Sequence, residues 1–267
     1  MEKKKILVVV KAYPEPSTKY KSAICMAGIT EQHEWIRLYP IDYDYFINNL
    51  NFPKFTWIEA DVAKSTEKLM RKESFKVRKE TIKVVDDSIA RVSGSKKEKA
   101  KIWAIRKKWV SSILSPSIEA LDVKWHADRT SLGVIKPNLV DLRFRKSIDE
   151  IKIEKEHYPQ QTLTGGRVLV PDIIEHAISY RYRCEGSDCS TLHDQTCEDW
   201  ELFEAVRNWP YQGEEKEQKI REQYFDNLKT RDLHFIVGMH SLQPTWMIIG
   251  LFYPPKEKNQ DLLKFMK

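Results

Sequence analysis

Three of the four cysteines and one histidine fall within fourteen residues, at Cys184, Cys189, His193 and Cys197. Thiolate and imidazole are the side chains a zinc ion prefers, and four of them close a tetrahedral structural site. The spacing C-x4-C-x3-H-x3-C lies near the known short zinc spacings without equalling one. It is therefore read as a candidate Zn²⁺ site. One alternative has only Cys184, Cys189 and His193 binding, with a distant fourth ligand such as His240. In the other, the cysteines are small reduced hydrophobes in a core. His193, Asp194, Asp199 and Glu201 form a second constellation, because carboxylates and a histidine could hold a metal that activates water on a phosphodiester. No G-x-S-x-G is present, the seven histidines are scattered, and Cys25 sits in an apolar run, so no nucleophile–base pair is indicated. No catalytic residue is assigned.

The elements that must position these groups read mostly as strands. The chain has 267 residues, 41% hydrophobic and 31% charged, and no apolar run near the roughly 18 residues that a membrane span needs. After Met1–Lys5 the apolar run Ile6–Val10 is only five residues long and ends at Lys11, too short for a signal core. The expectation is a cytoplasmic protein with reduced cysteines and no membrane partner. Net charge is +6, but Lys64–Lys108 holds 16 Lys and Arg against 6 Asp and Glu, so the rest of the chain is acidic. Such asymmetry suggests a surface that faces a polyanion.

Strands are expected over residues 6–13, 20–30, 35–39, 52–62 and 73–86. In the third, Ile36 and Leu38 face one way, and Trp35, Arg37 and Tyr39 the other. Flat rings beside a guanidinium suit stacking on unpaired bases and pairing with phosphate. Trp57 on the fourth strand, and Arg181 and Arg183 alternating with Tyr180 and Tyr182, extend that pattern. Ile102, Ile105, Trp109 and Ile113 recur at helical steps over residues 88–114, with Arg106, Lys107 and Lys108 among the basic residues between them. Residues 117–123 read as a further short helix. Later strands are expected over residues 132–144, 178–184, 233–239 and 246–252. Helices are expected from Thr196 to Trp209 and from Gly213 to Leu228. A charged loop spans residues 147–161, and Thr164–Gly166 reads as a turn.

Five strands with an aromatic face and no long helix between them suggest a small Greek-key barrel of the OB type. The fold class is thus α+β, mostly β: two OB-like barrels with intervening and C-terminal helices. The divisions are 1–88 for the first barrel, 89–130 for a basic helical connector, 131–256 for the second barrel with its Cys/His insertion and two helices, and 257–267 for a tail.

The segments Tyr13-Pro14, Cys25-Met26-Ala27-Gly28-Ile29, Trp35-Ile36-Arg37-Leu38-Tyr39-Pro40 and Trp57-Ile58-Glu59 carry a resemblance. So do Ser131–Pro137, Tyr180–Cys184 with Cys189 and His193, Asp199-Trp200-Glu201, and Gly250–Pro255. Together they resemble the prokaryotic family described as dual OB-containing domain proteins, over nearly the whole chain. The resemblance implies two OB-like barrels and suggests single-stranded nucleic-acid binding. It also implies that Cys184, Cys189 and His193 recur while the position of Cys197 is aliphatic. Where a basic residue would follow Tyr39-Pro40, this chain has Ile41-Asp42-Tyr43-Asp44. Three functional expectations stand: single-stranded DNA or RNA binding, metal-dependent phosphodiester hydrolysis, and a scaffold for a protein partner.

Overall fold

The computed structural model describes residues 1–17, 21–65, 71–146, 176–186, 189–240 and 244–256. The first sheet is built from β1 (Glu2–Lys11), β2 (Glu15–Ser17), β3 (Lys21–Thr30), β4 (Trp35–Asp42), β5 (Thr56–Lys64), β6 (Ser74–Val77) and β7 (Lys83–Asp86). Five of these close on themselves in the order β1-β3-β4-β6-β5, with β5 returning to β1. The β4–β6 pair is parallel and the others are antiparallel. Helix α1 (Tyr43–Asn49) lies between β4 and β5, capped by the Asp42 carboxylate, which accepts from the Tyr45 N–H. The closure is tight where β1 meets β3. A Cβ on Gly28 would stand 2.6 Å from the Leu7 carbonyl oxygen, so only glycine permits the approach.

The second sheet contains β8 (Leu132–Ile135), β9 (Pro137–Lys146), β10 (His176–Cys184), β11 (His193–Cys197), β12 (His234–Met239) and β13 (Trp246–Phe252), in the order β8-β12-β13-β11-β10-β9. Its two ends, β8 and β9, are separated in sequence only by Lys136. One bent strand therefore supplies both edges and curls the sheet. The topology repeats that of the first barrel: the first strand is flanked by the second and fourth, and the third runs parallel to the fifth. In both halves a helical insertion precedes the fourth strand. Here it is α4 (Trp200–Arg207) and α5 (Gly213–Arg221), the latter continued by a π-type turn Glu222–Asp226 and a last turn Asn227–Lys229. The mixed α+β, mostly β architecture with OB-like barrels is as the residue pattern implied.

Between the barrels run α2 (Lys96–Ser111) and α3 (Ile118–Asp128). Helix α2 begins at 96 rather than 88 because Ser95 and Glu98 form a reciprocal capping box there, preceded by Gly94 at φ +89°. Helix α3 starts at the Ser117 cap and runs on to Arg129, whose left-handed backbone ends it, so it outlasts the expected 117–123. The expected strand 73–86 is two strands, β6 and β7, divided by a 3-10 turn at Lys79–Thr81. The charged segment 147–161, the Thr164–Gly166 turn and the tail 257–267 lie outside the described residues.

The run Ile6–Val10 is apolar on both faces for a reason. Ile6 and Val8 point into the first barrel, whereas Leu7, Val9 and Val10 join a second cluster with Ala27, Ile29, Leu132, Val134, Ile236 and Ile249. The outer face of the first barrel is thus packed on the second barrel, and the interior side of α2 seals the seam with Val110. A strand buried on both faces loses the alternation of a half-exposed one.

At the end of β1, Lys11 is buried, donates to the Phe52 carbonyl at 2.9 Å and lies over the Phe46 and Trp200 rings. Burial pushes its ammonium down to about 8, against the opposing pull of Glu201. The unfolded chain holds that proton up to its ordinary value near 10.5, so between the two values the unfolded state binds more protons. Raising the pH through that window therefore favours the fold. Urea unfolding of the wild type and of Lys11→Met should show the wild type gaining at most about 3 kcal/mol relative to the variant between pH 7 and pH 10.5. A difference that is independent of pH would refute this account.

Candidate metal centre

Glu119, Cys184, Cys189 and His193 converge, with their four ligand atoms all within 4.8 Å of one another. Three elements bring them there. Cys184 ends β10, His193 opens β11, and these strands pair antiparallel with Tyr182 opposite His193. The Cys184–His193 loop therefore folds back on itself and carries Cys189 between them. Glu119 arrives from the first turn of α3. The Cys189 sulfur lies 3.2 Å from His193 Nε2 and accepts from the Cys184 N–H at 3.3 Å. His193 Nε2 lies 3.4 Å from Glu119 Oε1. Both Glu119 carboxylate oxygens are buried at the cluster, and against the cost of burial its own N–H and the Thr191 and Ser117 side chains hold the carboxyl below its ordinary value. An ionised carboxylate so placed offers a cation its charge.

Burial pushes the Cys184 thiol up to about 12, with Cys189 beside it adding to the effect, while the Ile118 N–H at the start of α3 opposes it. Burial likewise pushes His193 down, against the pull of Glu119. The protein alone thus holds a neutral thiol and a neutral imidazole. A bound divalent cation inverts that logic and draws out the thiolates. Two sulfurs, one imidazole nitrogen and one carboxylate oxygen fit a borderline-soft tetrahedral ion such as zinc.

Cys197 does not belong to the set. It shares the β11 face of His193 but lies four residues further along, about 13 Å at the usual rise per residue, too far to share an ion. It pairs with Ile178 and Ile248 within the sheet and is fully buried. His240 is not in the group either; its fourth member is Glu119. The carboxylates of the hydrolase reading also separate. Asp199 caps α4 and, with Glu201, grips Lys54, while Asp194 accepts from Arg143. Only His193 reaches the cluster.

The residues expected to face unpaired bases are placed as follows. Arg37 is buried and donates to the Ser131 carbonyl at 3.0 Å, so its guanidinium binds the second half of the chain. Trp35 is half-buried in the seam, and Tyr39 is half-buried beside it. Trp57 lies under Trp109 at 5.1 Å between ring centroids. Arg106 is buried, donates to the Ile89 carbonyl at 2.7 Å and covers the Phe55 ring. Lys107 pairs with Asp232 at 2.9 Å. Lys108 is exposed, Arg181 is half-buried, and Arg183 is exposed and donates to the Ser190 carbonyl. Tyr180 and Tyr182 point into the second barrel. The aromatic–basic face read from the sequence is therefore no open groove: Arg37, Trp57 and Arg106 are consumed by packing.

Such a chain is a two-barrel protein of OB-like topology with a thiol–imidazole–carboxylate cluster at the foot of its second barrel. It belongs to the family described as Domain of unknown function (DUF8757), whose model matches residues 114–266, and residues 2–112 match Domain of unknown function (DUF8758). No curated protein matches it.

The cluster loop presses on the lead-in to α3. A Cβ on Gly186 would stand 2.6 Å from the Pro116 carbonyl oxygen. Gly186→Ala should destabilise the fold by about 1–3 kcal/mol, as over-packed sites do. Chemical denaturation checks this; a neutral result would mean that the loop and the α3 lead-in are not held together as described.

Proposed function

We propose that the protein is a zinc-clamped, two-barrel module that binds single-stranded nucleic acid. The strand runs along the lysine-rich side of α2 and the neighbouring rim of the first barrel, because the strand face that looked suited to stacking is packed against the second barrel. One observation carries this reading. Helix α2 anchors Arg106 and Val110 in the seam while Lys96, Lys97, Lys99, Lys101 and Lys108 all remain exposed. A held helix with a row of free ammonium groups releases counterions when it meets a phosphate backbone. The rim adds Lys76, Arg78 and Lys83, also exposed. Half-buried rings already under cations, Phe75 beneath Lys64 and Tyr45 beneath Lys79, supply flat surfaces next to that charge.

Zinc enters this reading as a structural ion. Four protein donors leave no open position for a substrate. Cys184, Cys189, His193 and Glu119 hold it, and it fastens α3 to β10 and β11.

Two measurements test the proposal. Elemental analysis should find about one zinc per wild-type chain, near none in Cys184→Ser or His193→Asn, and the full amount in Cys197→Ser. Equal metal in all four proteins would dismiss the assigned ligands. Fluorescence anisotropy with a labelled oligothymidylate should show binding at low salt that weakens steeply as salt rises. The triple variant Lys97→Glu, Lys101→Glu, Lys108→Glu should bind at least tenfold more weakly, with a shallower salt slope. No binding by the wild type at low salt would end the nucleic-acid reading.

A further inference from the structure

A cavity of about 50 Å³ opens between the two barrels, lined by Arg37, Tyr39, Arg71 and Cys25 on one side and by Glu198 and His240 among others on the second. Two guanidiniums share this small space, and none of the described carboxylates forms a salt bridge with either. Arg37 is 4% exposed, and its Nη2 donates to the Ser131 carbonyl and its Nη1 to the Cys25 sulfur. Arg71 donates through Nη1 to the Met239 carbonyl at 3.4 Å. The Nε atoms of both are buried and lack an acceptor.

The buried carboxylate Glu73 acts on Arg71 through its charge, while its oxygens accept from the Ser131 N–H at 3.0 Å and the Ser131 hydroxyl at 2.8 Å. Glu198 also lines the cavity. Gly238 makes the room. A Cβ at that position would stand 3.2 Å from Arg37 Nη2 and 2.8 Å from the Ile249 side chain. A buried guanidinium beside a half-buried one, each with a buried and unmet Nε donor, is held there at a cost unless an anion lies between them. Arg71 feels this directly, since burial and then Arg37 pull its proton affinity down.

We propose that Arg37 and Arg71 form a site for one tetrahedral oxyanion, a phosphoryl group, in the cleft between the barrels. Planar guanidiniums present paired N–H donors that match phosphate oxygens. The volume suits one such group and excludes a base. The phosphoryl group comes either from a strand, in which case the site deepens the nucleic-acid reading above and rests on it, or from a small phosphorylated molecule.

Isothermal titration of the full-length protein with inorganic phosphate, at ionic strength held constant with chloride, tests the site. The wild type should show saturable binding, and Arg71→Gln should bind at least tenfold more weakly. Arg37→Lys keeps the charge but loses the fork, and it too should bind more weakly while retaining the wild-type circular dichroism. The α2 triple variant should bind phosphate as the wild type does. Stronger competition by a 5′-phosphorylated oligothymidylate than by its unphosphorylated form identifies the strand as the source. Competition by nucleoside monophosphate but by neither oligonucleotide identifies the small molecule, and supports the site equally. Absence of saturable phosphate binding, or binding unchanged in Arg71→Gln, overturns the site. Oligonucleotide binding that persists in that event leaves the α2 reading standing.

Discussion

The two halves of the chain are registered by one buried ion pair. Lys54, from the connection into β5, meets Asp199 at 2.8 Å, and their side chains are 6% and 2% exposed. Asp199 is fully used. One oxygen caps α4 through the Leu202 N–H, and the other accepts from Lys54 and from the Leu251 N–H on β13. A single carboxylate thus fixes the first barrel, a helix and a strand of the second barrel to one point. The Tyr13 N–H donating to the Glu198 carbonyl extends the same junction along the backbone. Burying two charges costs several kcal/mol each in desolvation, and the attraction repays it only when every lone pair is met. Here the lone pairs are met, and the pair also chooses geometry: a shifted docking of the barrels would leave either charge buried alone.

From that docking follows what each surface can do. Barrels of this topology offer the face of their second and third strands for binding. In the first barrel those strands are β3 and β4, whose outward residues Ala27 and Ile29 lie in the inter-barrel cluster. Among the described residues of that face, Arg37 and Tyr39 border the cleft between the barrels. The same docking lays α2 over the seam, with its apolar side inward, so that five of its lysines face solvent. Charge that looked distributed over residues 64–108 is sorted: Arg106 and Lys107 hold the helix down, while Lys96–Lys101 and Lys108 face solvent.

This sorting explains what could be read from the residues and what could not. Alternation along β4 correctly separated Ile36 and Leu38 from Trp35, Arg37 and Tyr39, because a strand's period of two is fixed by backbone geometry. Alternation does not reveal whether the second face meets solvent or another barrel. The signal that could have told them apart was Ile6–Val10, an unbroken apolar run that only a strand covered on both sides tolerates. At the candidate metal centre, the close spacing of Cys184, Cys189 and His193 was legible because a hairpin brings near neighbours together. Glu119 was not, since it comes from a helix 65 residues before Cys184 and reads alone as an ordinary first-turn acid. Cys197 misled because sequence proximity was taken for spatial proximity, whereas an extended strand carries four residues well beyond the reach of one ion. Arg71 carried no pattern at all; only the fold sets it beside Arg37.

The Cys–His–Glu cluster and the inter-barrel helices form one mechanical unit. The six residues between α2 and α3 are tied to the second barrel by the Ser115 N–H donating to the Val134 carbonyl and by Pro116 lying against Gly186 in the cluster loop. Glu119 is the next group along, at the first turn of α3. A cation at the cluster would therefore pin α3 at its start, and with it the segment that leads out of α2. Thiol and imidazole held neutral by burial offer Glu119 no full positive charge, only the 3.4 Å approach of His193 Nε2. The free energy of binding an ion there becomes free energy of folding, as in other closed sites of thiolate and imidazole. The basic helix, held near its C-terminal end by Arg106 in the seam, would then gain a second hold beyond that same end from coordination at the foot of the second barrel.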